Sequence, residues 1–263
     1  MSRRVARYGP WAVVTGASSG IGRAIATRLA AEGFDLVLVA RSGTALQELA
    51  TALQQAHRIS ARVVAADLAS TAGLDAVLAA VEELEVGLFV ANAGFGTSGA
   101  FVEAELAAEE AMLDTNCRAL LRHTHYFALR MQARGRGGII LISSMLARQG
   151  TPWVAHYAAT KAYVTAFGEA LRVELAPSGV QVLVAEPGPT DTGFGARAGM
   201  SMGATMTADA VAGATLDALG RTGRALPGGL SKLLVWSMAM LPRVVRVQLM
   251  GTIMRGMARR SAA

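Results

Sequence analysis

The sequence predicts an α/β fold: a doubly wound, predominantly parallel sheet of about seven strands, flanked by helices on both faces. Short continuous apolar runs recur along the chain, stretches with helical spacing separate them, and a glycine-rich turn follows the first run. Strands that are buried on both faces have this continuous apolar character, and regular alternation with helices is typical of a parallel sheet. Ligands bind such sheets at the carboxyl ends of the strands, so functional residues are expected there.

The elements follow one another in order along the chain. Strands are predicted at residues 13–15, 36–39, 63–66, 88–91, 139–142 and 180–185. The first helix begins after the first strand, places Ile21, Ile25 and Leu29 on one face and ends at Gly33. Longer helical stretches are predicted at residues 104–131 and 157–175.

Length and composition favour one domain with a helical extension. A chain of 263 residues that is 52% hydrophobic can bury a large core. We predict a single domain at residues 1–229 and a basic, apolar extension at 230–263.

Cys117 is the only cysteine, which excludes an internal disulfide framework and fits a reducing compartment. The apolar stretch at 11–14 is too short for a signal peptide, so a cytoplasmic location is expected. No metal site is predicted.

The distribution of charge argues against a nucleic-acid partner. The net charge is +6, but the segment from Arg221 onward contains eight basic residues and no acidic one, so residues 1–220 carry −2. The main body has no basic, aromatic-rich platform on which bases could stack.

A glycine-rich turn joins the first strand to its helix. It contains Gly16, Gly20 and Gly22, with Ser18, Ser19 and Ile21 between them. Glycines permit a tight turn, and the free N–H groups and dipole of a helix N-terminus favour a pyrophosphate. The alternative is an ordinary turn, but its place between a strand and a helix favours a dinucleotide.

The end of the second strand favours NADP(H) over NAD(H). Dinucleotide folds place an acidic residue about twenty positions beyond the turn to bind the ribose hydroxyls, or an arginine for a 2′-phosphate. Here Ala40 stands at that position and Arg41 follows it. A solvated arginine is the alternative. At the end of the third strand, Asp67 and Leu68 are candidates for the adenine, although Asp67 could equally be a turn residue.

Tyr157 and Lys161 form a candidate acid/base pair. Four residues apart on a helix, their side chains share one face, and an ammonium beside a phenol stabilises the phenolate. Only two of the 25 basic residues are lysines, Lys161 and Lys232. The alternative interpretation is an ordinary solvated helix face.

Taken in order, these motifs resemble the classical short-chain dehydrogenase/reductase family, of its NADP(H)-preferring type, over residues 12–192. The residues that carry the resemblance are Thr15–Gly22, Asn92, Ala93, Gly94, Asn116, Ser144, Tyr157, Lys161, Pro187 and Gly188. The resemblance implies a Rossmann-like fold and assembly as a homodimer or homotetramer.

The resemblance also implies catalytic roles. Tyr157 would donate a proton to a carbonyl oxygen as hydride reaches the carbon, and Lys161 would lower the tyrosine pKa and bind the nicotinamide ribose. Ser144, thirteen residues before Tyr157, would polarise the substrate oxygen, and the neighbouring Ser143 is the weaker candidate. Asn116 would hold a proton-relaying water, unless it only caps a helix.

Further cofactor contacts follow from the same resemblance. Asn92, Ala93 and Gly94 would close the fourth strand against the cofactor, with Asn92 chiefly bracing the sheet. The nicotinamide loop would comprise Pro187, Gly188, Thr190 and Thr192, with the Thr190 backbone and the Thr192 hydroxyl holding the carboxamide. Residues 193–206, rich in glycine and methionine, suit a substrate lid or an irregular surface loop.

The predicted function is an NADPH-dependent carbonyl reductase, or the reverse alcohol dehydrogenase, acting on a mostly apolar small molecule. Met145, Trp153 and Phe194 favour an apolar substrate without identifying it. The alternative is a sensor or scaffold that binds the dinucleotide without catalysis.

The extension has two apolar stretches among basic residues. Residues 230–241 are too short to span a bilayer, which needs about 20 residues. Val247, Met250, Met254 and Met257 recur at helical spacing among arginines, as in a basic amphipathic helix that lies on an anionic membrane. The alternatives are subunit contact or packing over the substrate cleft.

Overall fold

The computed structural model describes residues 2–201, 203 and 205–261, and it confirms the predicted fold class. The strands are β1 (Trp11–Thr15), β2 (Asp35–Ala40), β3 (Ala61–Ala65), β4 (Val86–Ala91), β5 (Gly137–Ile142), β6 (Val180–Ala185), β7 (Thr190–Asp191), β8 (Met206–Thr207) and β9 (Arg224–Ala225). The α-helices are α1 (Arg3–Tyr8), α2 (Gly20–Ala31), α3 (Gly43–His57), α4 (Thr71–Val81), α5 (Leu106–Leu113), α6 (Leu120–Arg134), α7 (Ala155–Leu175), α8 (Phe194–Arg197), α9 (Ala208–Ala218), α10 (Gly229–Ala239) and α11 (Arg243–Ser261).

Seven strands form one parallel sheet in the order β3-β2-β1-β4-β5-β6-β9. The chain proceeds outward from β1 to β3 and then crosses back to lay β4 on the other side of β1. This reversal opens a crevice at the carboxyl ends of β1 and β4, which is where parallel sheets bind their ligands.

The predicted strands agree with those observed to within a few residues. Strands were predicted from apolar runs, which leave out a polar residue or a glycine at the start of a strand. For this reason β2 begins at Asp35 and β5 at Gly137, both earlier than predicted. The third strand ends at Ala65 rather than at Ala66. The seventh strand of the sheet, β9, has two residues, too few to give a pattern in the sequence.

The helical stretch predicted at residues 104–131 is observed from Leu106 to Arg134, with a change of helix type inside it. A short 3₁₀ turn at Phe101–Glu103 precedes α5, and a π-helical turn at Asp114–Ala119 separates α5 from α6. A π turn widens the helix by one residue, and such turns occur frequently at functional sites. Here it contains Asn116, whose side chain is buried.

The core has one layer on each face of the sheet. Leu36 and Leu38 of β2 point to one face and join the cluster beneath α2, α3 and α9. Val37 and Val39 point to the other face, toward α4, α6 and α7. This alternation is the period of two that any strand shows, and both faces are apolar because both are covered.

The C-terminal extension packs back on the domain. Met250 and Met254 of α11 are buried, and they share a third apolar cluster with Met112, Tyr157 and Met200. Of the three alternatives for the extension, packing over the cleft is the one that the structure shows for this face. Among the described residues, no helix is long and apolar enough to cross a bilayer.

The predicted lid at 193–206 contains α8 and is closed at its base by the pairing of β7 with β8. Two of its positions, Met202 and Ala204, lie outside the described residues.

Candidate active site

A cavity of about 570 Å³ lies at the carboxyl ends of the strands, between the sheet, the lid segment and the extension. Most of the site residues predicted from the sequence line it: Gly16, Ser18, Ser19, Gly20, Ile21, Arg41, Asp67, Leu68, Asn92, Ala93, Gly94, Ser144, Tyr157, Lys161, Pro187, Gly188, Thr190 and Thr192. The two others, Gly22 and Asn116, do not line the cavity.

The turn after β1 requires glycine for two separate reasons. Gly16 and Gly20 have φ values of +67° and +55°, a left-handed conformation that is costly for other residues. Gly22 has an ordinary φ, but a Cβ there would overlap the Gly16 carbonyl and the Asn92 side chain. The turn is therefore a backbone cradle at the N-terminus of α2, of the shape and polarity that a pyrophosphate needs.

Asn92 fastens this turn to the next strand. Its Nδ2 donates to the Thr15 carbonyl at 2.9 Å and to the Gly16 carbonyl at 3.3 Å. The backbone N–H groups of Asn92 and Ala93 both donate to the Thr15 hydroxyl at 3.0 Å. The contacts hold the ends of β1 and β4 together, which fixes the floor of the cavity.

Tyr157 and Lys161 lie in the first two turns of α7 and are 7% and 5% exposed, so the solvated-face interpretation is wrong. The Lys161 Nζ donates to the carbonyl of Ile142, the last residue of β5, at 2.9 Å and lies 5.9 Å from the centroid of the Tyr157 ring. The bond orients the ammonium toward the strand end and the cavity floor.

Burial dominates the protonation of this pair. It raises the pKa of the Tyr157 phenol to about 12, and a hydrogen bond with the Ser144 side chain opposes part of that rise. Burial also lowers the pKa of Lys161 to about 8. The lowering of the tyrosine pKa expected from Lys161 is not seen, because desolvation sets the direction of the shift and Ser144 is the group that opposes it. At neutral pH the phenol keeps its proton and can donate it.

The two serines after β5 have different partners. The Ser143 hydroxyl donates to the Lys161 carbonyl and shares a hydrogen bond with Thr165, each at 2.7 Å. Ser144 instead interacts with Tyr157, and its Oγ accepts from the N–H of Leu146 at 3.2 Å. Ser144 is therefore the serine that can reach a substrate oxygen beside the phenol, while Ser143 secures α7.

Asn116 lies behind Tyr157 and Lys161. Its Nδ2 donates to the Phe95 carbonyl at 2.9 Å and to the Thr160 hydroxyl at 3.0 Å, and its Oδ1 accepts from the Phe95 N–H. A Cβ on Gly94 would lie 2.9 Å from Asn116 Oδ1 and 3.2 Å from Lys161 Nζ. Glycine at that position lets the amide and the ammonium approach each other.

A buried carboxylate links the segment that contains Ser144 to the loop that follows β6. Glu186 has no exposed surface, and it pairs with Arg148 at 2.5 Å and with Arg224 of β9 at 2.6 Å. Arg148 ends the short 3₁₀ turn that follows Ser144, and Glu186 directly precedes Pro187. No pattern in the sequence indicates this network, because its members are distant in the chain.

At the far end of the cavity, β2 ends in Ala40 and the Arg41 guanidinium follows it, so no carboxylate stands at residue 40. Arg41 is exposed, lines the cavity beside Ala40 and forms no ion pair with any residue in the described part of the chain. Ser42, which sequence reasoning missed, caps α3 and also lines the cavity. Asp67 Oδ1 accepts from the Ala69 N–H at 3.1 Å, the turn contact foreseen as its alternative role.

The loop after β6 returns over the first turn. The Thr192 methyl carbon would lie 2.9 Å from a Cβ on Gly20, so these two segments are in close approach. The Thr192 hydroxyl accepts from the Phe194 N–H at 3.2 Å, and the Thr190 hydroxyl donates to the Gly188 carbonyl at 2.9 Å. The Thr192 hydroxyl keeps its own proton available for a carboxamide oxygen.

The half of the cavity beyond Tyr157 is apolar. The Phe194 ring lies 5.3 Å from the Tyr157 ring, centroid to centroid. Phe95 and Leu146 line the cleft without having been placed there from the sequence, and Met200 of the predicted lid lines it as well. The extension, for which packing over the cleft was one alternative, contributes Leu234, Met238, Met250, Ile253, Met254 and Met257. Trp153 was expected in the cleft, but it has a φ of +70°, lines a separate small pocket and stacks under Arg255.

The family model for short chain dehydrogenase matches residues 10–201, nearly three quarters of the chain. The chain belongs to the short-chain dehydrogenase family. A 7β-hydroxysteroid dehydrogenase of Mediterraneibacter gnavus is 32% identical over 186 residues, which are 71% of each protein.

Solved structures extend this likeness to the whole fold. A 7β-hydroxysteroid dehydrogenase superimposes with a TM-score of 0.87 at 26% identity, covering 94% of this chain and 98% of its own. A short-chain dehydrogenase from Sphingobium yanoikuyae, in complex with NADPH, gives 0.81 at 32% identity and covers 89% and 97%. A relative from Brucella melitensis, a 3-ketoacyl-(acyl-carrier-protein) reductase, is complexed with NADH, with a TM-score of 0.73 at 28% identity, covering 83% and 96%. Family members thus use either nicotinamide cofactor.

Proposed function

We propose that this short-chain dehydrogenase catalyses hydride transfer between NADP(H) and the carbonyl or secondary alcohol of a bulky apolar small molecule. The observation that carries the proposal is the position of Tyr157. Its phenol stands between a backbone cradle for a dinucleotide and a methionine-lined cavity, with Ser144 and Lys161 beside it.

The residues present fit a dinucleotide. The glycine cradle at Gly16, Gly20 and Gly22 leaves room that side chains would fill, and the Thr190 and Thr192 loop closes on it. When bound, the cofactor supplies or accepts the hydride. The side chains of this protein bind and orient the substrate and transfer the proton.

Tyr157 acts as the general acid in reduction. Its raised pKa keeps the proton on the phenol until the substrate oxygen gains negative charge, and the proton then moves from the phenol to that oxygen. The Ser144 hydroxyl donates to the same oxygen and holds it in place. Lys161, charged below about pH 8, stabilises the phenolate that remains. The Asn116 amide is already bonded to Phe95 and Thr160 and supports the pair from behind, so a proton relay through a water on Asn116 stays a prediction. In oxidation each transfer reverses.

The preference for NADP(H) rests on Ala40 and Arg41. A 2′-phosphate at this strand end would meet an unpaired guanidinium and no carboxylate from residue 40. Charge-assisted bonds from arginine to phosphate are strong, and a carboxylate there would have repelled the same group.

The substrate class follows from the cavity wall. Met200, Met250 and Met254 are unbranched and polarisable, so they adapt to a large apolar surface. The relative of known activity with the highest structural similarity cited above acts on a hydroxysteroid, which is a compound of this class.

We also propose a homo-oligomer. Leu113 at the end of α5, with Leu121 and Leu129 of α6, is exposed by 47%, 42% and 53%, respectively. Leu121 and Leu129, eight residues apart on α6, lie on one face and provide an apolar surface for a second copy. The cytoplasmic location stays a prediction.

The test is a spectrophotometric screen that follows oxidation of NADPH and of NADH with apolar ketones of increasing size, from acetophenone to steroid ketones. We expect turnover that grows with substrate bulk and is faster with NADPH. A protein that binds NADPH tightly but oxidises it with none of these compounds would instead be the dinucleotide sensor.

A further inference from the structure

The outer surface of the C-terminal helix pair carries an exposed apolar stripe, most of which does not line the cleft. Leu233 and Trp236 of α10 and Met240, which caps its C-terminus, are 66%, 76% and 87% exposed. Their spacing of three and four residues places them on one helix face. Ser231, Val235 and Met238 occupy the other face and turn toward the domain.

The stripe continues across the turn into α11. Val244 is 68% exposed, and Val245, Leu249 and Ile253 are each exposed by more than two fifths, at four-residue spacing. The face predicted from the sequence, with Met250 and Met254, is the neighbouring one and is buried in the cleft wall. The helix pair is therefore apolar on two sides, of which the domain covers one. An uncovered apolar stripe of this extent marks an interaction surface.

The charges around this stripe are positive and favour an anionic partner. Lys232 and Arg243 are exposed beside it, and the chain has no acidic residue after Asp217. Two copies of this surface placed face to face would bring like charges together. An anionic lipid headgroup layer supplies the opposite charge and an apolar layer directly beneath it.

The cavity reaches the same surface. Leu234 and Ile253 line the cavity and are also 41% and 44% exposed, so they stand at its rim, between α10 and α11. An apolar compound dissolved in a bilayer would meet this rim without crossing water. If the protein bound a membrane at this rim, the cleft would open directly toward the bilayer.

We propose that the outer face of α10 and α11, here named the docking face (Leu233, Trp236, Met240, Val244, Val245, Leu249), binds the surface of an anionic lipid bilayer. The Trp236 and Met240 side chains enter the boundary between headgroups and acyl chains, and Lys232 and Arg243 contact the headgroups. The helices lie on the bilayer without crossing it.

The experiment is co-sedimentation of the full-length protein with vesicles of phosphatidylcholine, with and without phosphatidylglycerol. We expect binding to the anionic vesicles that weakens as salt is added. The double variant Trp236→Ser, Met240→Ser should bind at least ~10-fold more weakly, because each side chain loses an apolar environment. Arg243→Glu should remove the preference for phosphatidylglycerol.

Matched controls separate the docking face from general stickiness. Val173→Ser changes a side chain on α7 that is 70% exposed, and Arg3→Glu reverses a charge on α1. Both should bind vesicles like the unaltered chain. Because all the altered side chains are exposed, melting temperatures should stay close to that of the parent, which circular dichroism verifies.

Three results would overturn the proposal. The first is an absence of binding to anionic vesicles. The second is an equal loss from the control variants. The third combines two observations: the parent does not bind vesicles, and the double variant forms a smaller oligomer in analytical ultracentrifugation. Together they would assign the stripe to contact with a second copy of the chain. Vesicle binding needs no turnover, so these outcomes are independent of the proposed reaction.

Discussion

The two walls of the cleft are built from different parts of the chain. The nucleotide wall consists of strand ends and a turn whose shape depends on backbone, with Gly16 held against Asn92 by hydrogen bonds. The substrate wall consists of side chains on the extension, above all Met250 and Met254. A wall of backbone accepts one shape of ligand, whereas a wall of methionines adapts to several. In the proposed function, the chain thus combines a fixed cofactor site with an adjustable substrate site.

The largest effect is expected from disturbing the backbone wall. Gly16→Ala places a Cβ 2.7 Å from the Asn92 Nδ2 at a φ of +67°. The left-handed conformation and the broken Asn92 contact together should weaken NADPH binding about 100-fold or more. Isothermal titration with NADPH measures it.

Gly193→Ala is the matched control, because a Cβ at Gly193 meets no atom within 4 Å. It should bind NADPH like the parent. Equal affinities for both variants and the parent would mean that the turn does not form the nucleotide wall.

A smaller effect should separate the two cofactors. Arg41→Ala removes the guanidinium at the end of β2, so NADPH should bind about 10- to 100-fold more weakly while NADH is little changed. Titration of both cofactors tests this, with Arg221→Ala, an exposed arginine after α9, as the control. Parallel losses for NADPH and NADH would show that Arg41 does not contact the 2′-phosphate.

Changes in the methionine wall should alter the kinetics of the substrate and leave the affinity for the cofactor unchanged. Met250→Ala with Met254→Ala should lower kcat/KM for a bulky apolar ketone about 10-fold or more and leave NADPH affinity unchanged. Steady-state kinetics at saturating NADPH measures it. Leucine at both positions keeps most of the volume and should be close to the parent. A drop in NADPH affinity with unchanged substrate kinetics would reverse the assignment of the walls.

The smallest effect concerns pH, through the pair that stands between the walls. The lowered pKa of Lys161 means that its charge is lost as the pH rises through about 8, while the raised pKa of Tyr157 keeps the phenol protonated there. The rate of carbonyl reduction should therefore be level below pH 8 and decline above it.

Lys161→Arg keeps a charge at high pH and should move this decline upward. A parent profile that stays level well above pH 8 would show that Lys161 does not titrate there.

The same contrast explains what the sequence could predict. Glycines at fixed spacing and apolar strand runs specify local geometry, so the nucleotide wall could be predicted together with Tyr157 and Lys161. The spacing of Met250, Met254 and Met257 predicted an apolar face, but packing against Met112 and Met200 depends on tertiary contacts that periodicity does not contain. This is why a membrane, a subunit and the cleft all remained possible for that face.

Three further features required the structure for related reasons. The π turn around Asn116 interrupts a helix without any glycine or proline to mark it. Glu186 pairs with two arginines that lie 38 residues away on either side. Trp153 is turned away from the cleft by a left-handed backbone that is rare outside glycine. Each depends on neighbours that are distant in sequence.

The most direct test of the account compares two tyrosines on one helix. Tyr157→Phe removes the proposed proton donor, and Tyr163→Phe removes a hydroxyl from a ring that is 39% exposed and stacked on Phe167. With a ketone found in the screen, Tyr157→Phe should lower kcat about 10²- to 10⁴-fold while NADPH affinity is retained, and Tyr163→Phe should match the parent. Turnover by Tyr157→Phe at the rate of the parent would contradict the central claim that Tyr157 gives its proton to the substrate.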